Sequence, residues 1–590
     1  MWGPGRGLLG AALAAVSTNA YVTRAEPIKD PASATDKQKI ADLVARAKKV
    51  LADGKIVAQT APRQAHVRVD PGEETRARAI LDRYYTISAE AVAANVTTTA
   101  SNKESKPQPS KKKKPRTPPS SIFEDFDTTA ISGPCCKRYV ICGGGTAAWA
   151  AIESMLEIDP SVAKDILLIT DEEHYPYNRT VLSKELWDDD KKELFRSEQA
   201  SKDAVEYAYK AQPQGKVSII RGKRVSFLDV DEKRLTLSDS SSLHYDKLLL
   251  ATGGSPKSPG YISAALASPD LAENVSVFRT LEDYKRLQQG LKKKDLGAVV
   301  IGGGFLGTEL AIALASTSQK VSLVVAEAGV LYKVLPRYVC EYLARRLSEV
   351  GVNVIRSAIV TGASKKPGTA DVVTLDIVSP DADHVEGNKI IVAVGIDPDV
   401  SLAMDADLEV DDRLGGIRVN DFMMVEPDVF AAGDVASFHD RGLGRRRVEH
   451  WDHAVVSGRI AGKNMMGQKA RYGLQSMFWS DLTNIGVSFT AVGLVDSTLE
   501  TLAVWNLSSA PVNGAPSANS YTSGVVYFVK NFEIVGAVLW NPKKGSGSLR
   551  RARALISAKT SVSGLSQNTL AGLVNLEESS HRTTIRTNTK

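Results

Sequence analysis

Arg138 to Leu156, RYVICGGGTAAWAAIESML, decides the fold. It reads as a strand (Tyr139 to Cys142), a glycine turn (Gly143, Gly144, Gly145) and a helix opening on Thr146 and Ala147. Gly143, Gly145 and Ala148 fill the G-x-G-x-x-G/A positions. The first allows a tight turn, the second lets backbone approach a pyrophosphate, and the third lets the helix lie close on the sheet. The helix would aim free N–H groups and its positive dipole end at the phosphates. A second apolar strand, Ile166 to Thr170, ends at Asp171, whose carboxylate can accept from ribose hydroxyls. A lone glycine fingerprint is weak evidence; strands on both sides and an acid at the right point make it strong.

The pattern recurs about 160 residues on. Leu296 to Ala315, LGAVVIGGGFLGTELAIALA, gives a strand, then Gly302, Gly304 and Gly307 with Phe305 and Leu306 inside the turn, then a helix. The next strand ends at Ala326-Glu327. An acid there favours a free 2′-hydroxyl, hence NAD(H) over NADP(H). Two dinucleotide sites in one chain point to a flavoprotein that takes electrons from a nicotinamide. YDKLLLATGGSPKS (from Tyr245), NKIIVAVGIDPDV (from Asn388) and DVFAAGDVA (from Asp428, carrying Asp434) agree. Together these segments resemble the two-dinucleotide-fold flavoprotein reductases, and the fold class that resemblance implies is α/β: two Rossmann-like dinucleotide-binding domains, the NAD domain inserted in the FAD domain, with an α+β C-terminal domain.

Composition narrows the alternatives. With 590 residues, 43% hydrophobic and 24% charged, the chain is neither disordered throughout nor a multi-span membrane protein. The cysteines are Cys135, Cys136, Cys142 and Cys340. None forms a CxxC, which opposes a flavin disulfide reductase and a zinc site. The net charge is +6, but Lys103 to Arg116 holds seven basic residues and one acid, and outside it the charges balance at 67 each.

YNRTVLSKELW (Tyr177 to Trp187), IGGGFLGTELA (Ile301 to Ala311), GLGRRRVEHWDHAVVSGR (Gly442 to Arg459), QSMFWSDL (Gln475 to Leu482) and GVVYFVKNFEIVGAVLWN (from Gly524) resemble the mitochondrial apoptosis-inducing-factor family of FAD/NAD oxidoreductases. The likeness runs from about Arg138 to about Asn541 and leaves out the first 130 residues. It implies FAD and NADH as cofactors and hydride transfer between them. It also implies dimerisation on reduction, an intermembrane-space import oxidoreductase as partner, and release to the nucleus with DNA binding in cell death. A ferredoxin- or rubredoxin-type NADH reductase is the second reading, because the scaffold is shared.

Residue by residue, the resemblance implies a catalytic group of Lys184, Glu309, Phe305 and His450. Lys184 lies by the flavin with Glu309 paired to it, and Phe305 between nicotinamide and flavin. Arg179, Val225, Arg279 and Asp434 become flavin contacts, with Asp434 on the ribityl chain. Glu327, Lys333 and the Gly395 backbone become NAD contacts. Glu449, His450 and Trp479 match the site that orients the nicotinamide. Trp451 departs from the family's second consecutive histidine, which bears on flavin packing. Thr490 and Lys544 stand near NADH-contacting positions with other residues, and the C-terminal insertion is short, about Asn506 to Ser523. Lys247 and Lys257 align with basic residues tied to sequence-independent DNA binding.

The expected organisation is a targeting segment or membrane anchor (1–30), a helical segment (31–100), a basic linker (101–130), FAD-domain parts at 131–262 and 396–476, an NAD domain (263–395) and a dimerisation-type domain (477–590). The leader has three readings: secretory signal, mitochondrial presequence or anchor in the inner membrane. Gly7 to Thr23 is charge-free but, at about 17 residues, sits at the short limit for a span. Mitochondrial import is favoured by the family likeness farther along the chain.

Overall fold

Strands buried on both faces need continuous apolar runs. Each glycine turn follows such a run, Tyr139-Val140-Ile141-Cys142 and Ala298-Val299-Val300-Ile301, all buried. In the computed structural model each run is the central strand of a largely parallel sheet. The described residues are 122–128, 135–187, 209–211, 213–291, 297–317, 319–369, 371–510 and 521–587. The chain divides into Met1–Lys113 and Lys114–Lys590, and the described elements all belong to the second unit. The readings on residues 1–121 (leader, helical patterns, basic linker) and on 511–520 lie outside the described residues.

The first sheet runs Phe123–Asp125, Val217–Ile220, Ile166–Ile169, Cys135–Cys142, Ser242–Leu250, Val429–Ala431 and Met424–Glu426. All pairings along that path are parallel except the last. The second sheet, wholly parallel, runs Val352–Ile355, Val321–Val324, Ala298–Ile301, Lys389–Val392 and Val275–Val277. In both, the strand before the glycine turn lies between the next strand in sequence and a later one. That is the topological switch point where such sheets bind ligands. The first sheet is completed by strands that come after the second, so one nucleotide unit interrupts the other. The two crossings, Gly254–Pro256 and Ile396–Pro398, run side by side as an antiparallel pair.

Three helices place the site. Helix α1 (Thr146–Ile158) follows the first turn, α2 (Phe305–Ser316) the second, and α3 (Trp451–Met465) packs across α1. The α3–α1 approach depends on Gly458 and Gly462: a Cβ there would lie 2.2 Å from the Ala147 carbonyl oxygen and 2.5 Å from that of Ala151. The Ser154 hydroxyl crosses to the Arg459 carbonyl at 3.1 Å.

The C-terminal part is a six-stranded antiparallel sheet, ordered Met477–Leu482, Val487–Gly493, Glu533–Trp540, Tyr521–Lys530, Glu500–Leu507 and Arg582–Thr587. The short insertion expected between Asn506 and Ser523 begins and ends inside paired strands. This sheet shares a buried core with α2, the second nucleotide sheet and the Tyr177–Trp187 segment. Tyr338 and Tyr342 stack edge-on against Trp505 and Trp540. That common core fixes the Lys184 segment, α2 and the Trp479 strand relative to one another.

Candidate active site

Both glycine turns have the shape a dinucleotide requires. Gly143 (φ +109°) and Gly302 (φ +118°) sit where a Cβ would lie 2.2 Å and 2.3 Å from the carbonyl oxygens of Ala251 and Ala393. Gly145 and Gly304 face open space and are the N-caps of α1 and α2. Neither helix has a side-chain cap or an acid in its first turn. Helix N-termini without a side-chain cap or a first-turn acid suit an anion. Gly307 lies against the turn itself, a Cβ there falling 2.0 Å from the Gly302 oxygen. Gly144 lies over Thr170, Thr146 is half-buried, and Ala147 is buried against Gly433.

Around the first turn, cations gather on one side. Arg179 pairs with Glu172, whose other oxygen accepts from the Tyr177 hydroxyl at 2.7 Å. Arg179 also reaches the Arg279 carbonyl at 3.3 Å. Burial, and then the neighbouring Arg179, push the Arg279 guanidinium below its usual range. Burial pushes the Asp434 carboxyl up, opposed by Arg279. A buried guanidinium and a recessed carboxylate beside an uncapped helix N-terminus suit a phosphate and a polyol: the donor set fits FAD. Asp171 is exposed past the end of its strand, and Val225 lies half-buried in a neighbouring hairpin. Arg447 holds the Asp434 carbonyl at 3.3 Å and pairs with Glu449 at 2.7 Å.

Around the second turn the residues stand more open. Glu327 is half-buried and faces Lys333 across 3.7 Å. Phe305 and Leu306 open α2 half-buried, and Gly395 (φ +105°) presents its backbone past the strand Lys389–Val392. An acid and an uncapped helix N-terminus fit a nicotinamide dinucleotide with a free ribose.

Between the cradles lies a third cluster. Lys184 Nζ meets Glu309 Oε1 at 3.1 Å. Ser480 donates to the same oxygen at 2.9 Å, and Ser183 to the other at 3.1 Å. Phe305 meets Phe478 edge-on at 5.4 Å. The strand Met477–Leu482 organises all of this by its two-residue alternation. Phe478 and Ser480 contact α2, while Trp479 contacts the start of α3: His450 edge-on at 4.6 Å and Trp451 edge-on at 5.7 Å. His450 caps α3: its Nδ1 lies 3.2 Å from the Asp452 N–H and its Nε2 3.3 Å from the Trp479 N–H, and the neutral ring accepts at one of the two. Burial, reinforced by Lys184, lowers the ring to about 4, so it is neutral at ordinary pH. Two facing N–H groups disfavour the doubly protonated ring as well.

The structure thus brings Lys184, Glu309, Phe305, His450, Trp451 and Trp479 together. It places Glu327, Lys333 and Gly395 around one turn, and Arg179, Arg279 and Asp434 around the other. Lys247 lies elsewhere, facing Asp428 at 3.4 Å, whereas Lys257 stands beside Gly395, its backbone N–H donating to the Gly395 carbonyl at 2.9 Å, and faces Asp397 at 3.2 Å. Sequence reasoning missed Glu172, Ser183, Phe478 and Ser480. The alternation of QSMFWSDL was a usable signal for the last two.

Two glycine cradles meeting at a lysine–glutamate and aromatic pocket define an FAD-dependent NAD(P)H oxidoreductase. Residues 137–458 match the pyridine nucleotide-disulphide oxidoreductase family, and residues 461–518 match the C-terminal domain described as apoptosis-inducing factor, mitochondrion-associated. The chain is 35% identical over 481 residues to a Dictyostelium discoideum protein named apoptosis-inducing factor 1, mitochondrial, covering 79% of this chain and 85% of that one. It is 28% identical to the ferredoxin–NAD(+) reductase component of a 3-phenylpropionate/cinnamic acid dioxygenase of Photorhabdus laumondii, covering 71% of this chain and 96% of the relative. The fold matches a reductase solved as the covalent putidaredoxin reductase–putidaredoxin complex, with TM-score 0.61 and 23% identity, covering 75% and 99% of the two chains. The chain belongs to the apoptosis-inducing-factor branch of the pyridine nucleotide-disulphide oxidoreductase family. Members of the wider family bind FAD and NAD(P)H.

Proposed function

We propose that the protein is an NADH-oxidising flavoenzyme of apoptosis-inducing-factor type, acting in mitochondria and dimerising when reduced. When bound, FAD supplies the hydride-accepting ring. The chain's own contribution is positioning and electrostatics. Lys184 places a positive charge in the pocket, where it stabilises negative charge on a neighbouring ring. Glu309, held by Ser183 and Ser480, fixes the ammonium in place. Phe305 and Phe478 keep water out, and neutral His450 orients without adding charge. Glu327 selects a free 2′-hydroxyl. The observation carrying this reading is the 3.1 Å Lys184–Glu309 pair placed between the two cradles.

The mitochondrial setting rests on the basic, acid-free leader and on the Dictyostelium relative's name. The import partner, nuclear release and cell-death role rest on the family likeness alone. Lys247 and Lys257 each face an acid, which weakens them as a DNA patch, so we place redox work first. Anaerobic stopped-flow with the purified flavoprotein tests the proposal. NADH should bleach the flavin far faster than NADPH, and a sizing column should then show dimer. Equal rates with both nucleotides, or a monomer after reduction, would overturn it. The second reading draws on the Photorhabdus relative: rapid NADH-driven reduction of an added ferredoxin would favour it.

A further inference from the structure

The folded unit carries a segment whose charge the overall balance hides. From Asn541 to Leu576 there are six basic residues (Lys543, Lys544, Arg550, Arg551, Arg553 and Lys559) and no acid. The helix Ser548–Ser557 packs Ala552 and Ile556 inward and faces outward with Arg550, Arg551 and Ala554. Ser557, Ala558 and Lys559 continue that exposed side past its end. Helical spacing spreads positions 550, 551, 554, 557 and 558 over about 120° of the helix surface. The exposed side carries two guanidiniums at one end, small residues in the middle and an ammonium just past the other end, over about 15 Å. Lys544, Arg550, Arg551 and Lys559 make no ion pair among the described residues, whereas Lys543 is neutralised by Glu577 at 2.7 Å.

Beside Lys559 stands an aromatic that the fold does not use. Asn531 and Phe532 form the two-residue turn between Tyr521–Lys530 and Glu533–Trp540, with φ +54° and +63°. Such a turn favours Asn then Gly, and a bulky residue at positive φ costs about 1 kcal/mol. Phe532 is nevertheless 61% exposed. Its carbonyl accepts from the Val562 N–H at 2.9 Å, and Ile534 N–H donates to the Thr560 carbonyl at 2.9 Å. The turn is thus held against the end of the basic helix face. Lys530 is exposed at the same tip, directly across the hairpin from Glu533.

We propose that this face is a docking surface for an anionic membrane. The unpaired cations would meet lipid headgroups, the small residues would permit close approach to a flat surface, and Phe532 would insert at the interface. The contact is independent of the leader at residues 1–30. A nucleic acid would use the cations but leaves an exposed phenyl ring on a strained backbone unexplained.

Co-sedimentation of the full-length flavoprotein with vesicles tests it, comparing phosphatidylcholine alone with phosphatidylcholine containing phosphatidylserine. The variants are Arg550→Glu with Arg551→Glu, and Phe532→Ala. The double reversal should weaken binding to the anionic vesicles by about tenfold or more. Phe532→Ala should weaken it by about fivefold at unchanged salt dependence. Flavin content and NADH reduction should match the parent protein, which guards against misfolding. Parent-like vesicle binding by both variants would overturn the proposal. So would a double reversal that releases random-sequence duplex DNA while leaving vesicle binding intact.

Discussion

The two glycine turns share one backbone solution and differ in what covers them. The first is roofed by α3, whose Gly458 and Gly462 let it lie on α1, and Arg179, Arg279 and Asp434 surround its mouth. The second leaves Gly304 exposed, and its flanking acid and lysine stand partly in solvent, Glu327 at 34% and Lys333 at 75% of side-chain surface. The same fingerprint is therefore closed over on one side and left open on the other. The difference lies in tertiary cover that the motif does not encode.

The largest effect should come from breaking one turn at a time. Gly143→Val adds a branched side chain at φ +109° with its Cβ against the Ala251 carbonyl. Strain and clash together should cost roughly 3 kcal/mol or more, and the protein should purify without flavin colour. Gly302→Val faces the same clash with Ala393 but should keep bound FAD and lose reduction by NADH. Absorbance of the purified variants decides. Parallel loss of flavin in both would erase the distinction between the cradles.

Acid should strike the first cradle before the second. His450 and His453 both belong to α3, and burial lowers them to about 4 and about 3. His453 is fully buried, stacked on Phe438 at 4.6 Å and bonded to the Tyr472 hydroxyl at 2.9 Å. Unfolded histidine titrates near 6.5, so between that value and the lowered ones the unfolded chain binds more protons. Stability is full above pH 6.5 and falls as pH drops toward 4, with a ceiling on the order of 3 kcal/mol per ring. Helix α2 carries no histidine. Flavin fluorescence should therefore rise on acidification before tryptophan fluorescence reports opening of the C-terminal sheet. The reverse order would count against α3 as the acid-sensitive roof.

The pocket between the cradles should respond next. Lys184→Ala should slow flavin reduction by about a hundredfold, from loss of a preorganised charge. Glu309→Ala leaves an ammonium and two hydroxyls without their acceptor, so it should lower stability by about 1–3 kcal/mol besides slowing reduction. A double-mutant cycle on rapid-mixing rates should give strong non-additivity. Independent effects would mean that the pair seen at 3.1 Å does not act as a unit.

Much of the fold was legible in the chain. Strand, glycine turn and helix announce themselves through local periodicity, because each depends on neighbours within a few residues. Ser480 and Ser183 were illegible as partners of Glu309 because they lie 171 and 126 residues away. Only the shared core of the second sheet, the Lys184 segment and the C-terminal sheet brings them together. Glu172, rather than Asp171 beside it, holds Arg179, because the turn after the strand aims one acid inward and leaves the other exposed. Adjacent acids of equal charge give no local cue to that choice. The roofing role of Gly458 and Gly462 was hidden for a related reason: a glycine's use is visible only in what its missing Cβ would have met.

The smallest effect, and the finest test of the open cradle, is at Glu327. Its carboxylate stands two residues beyond the buried Val325 that underlies Gly303, where the ribose of a nucleotide on α2 would fall. A 2′-phosphate would meet that negative charge, while a 2′-hydroxyl would donate to it. Lys333 lies 3.7 Å away and is mostly exposed, so it offsets the repulsion only weakly. Glu327→Ala should lower the NADH over NADPH preference about tenfold, the equivalent of about 1.4 kcal/mol, mainly by improving the NADPH KM. Lys333→Ala should move the preference the other way by a smaller factor, because it removes a cation near the added phosphate. If Glu327→Ala left the ratio unchanged, selection would have to come from elsewhere around the turn, and the second cradle would be as closed in function as the first.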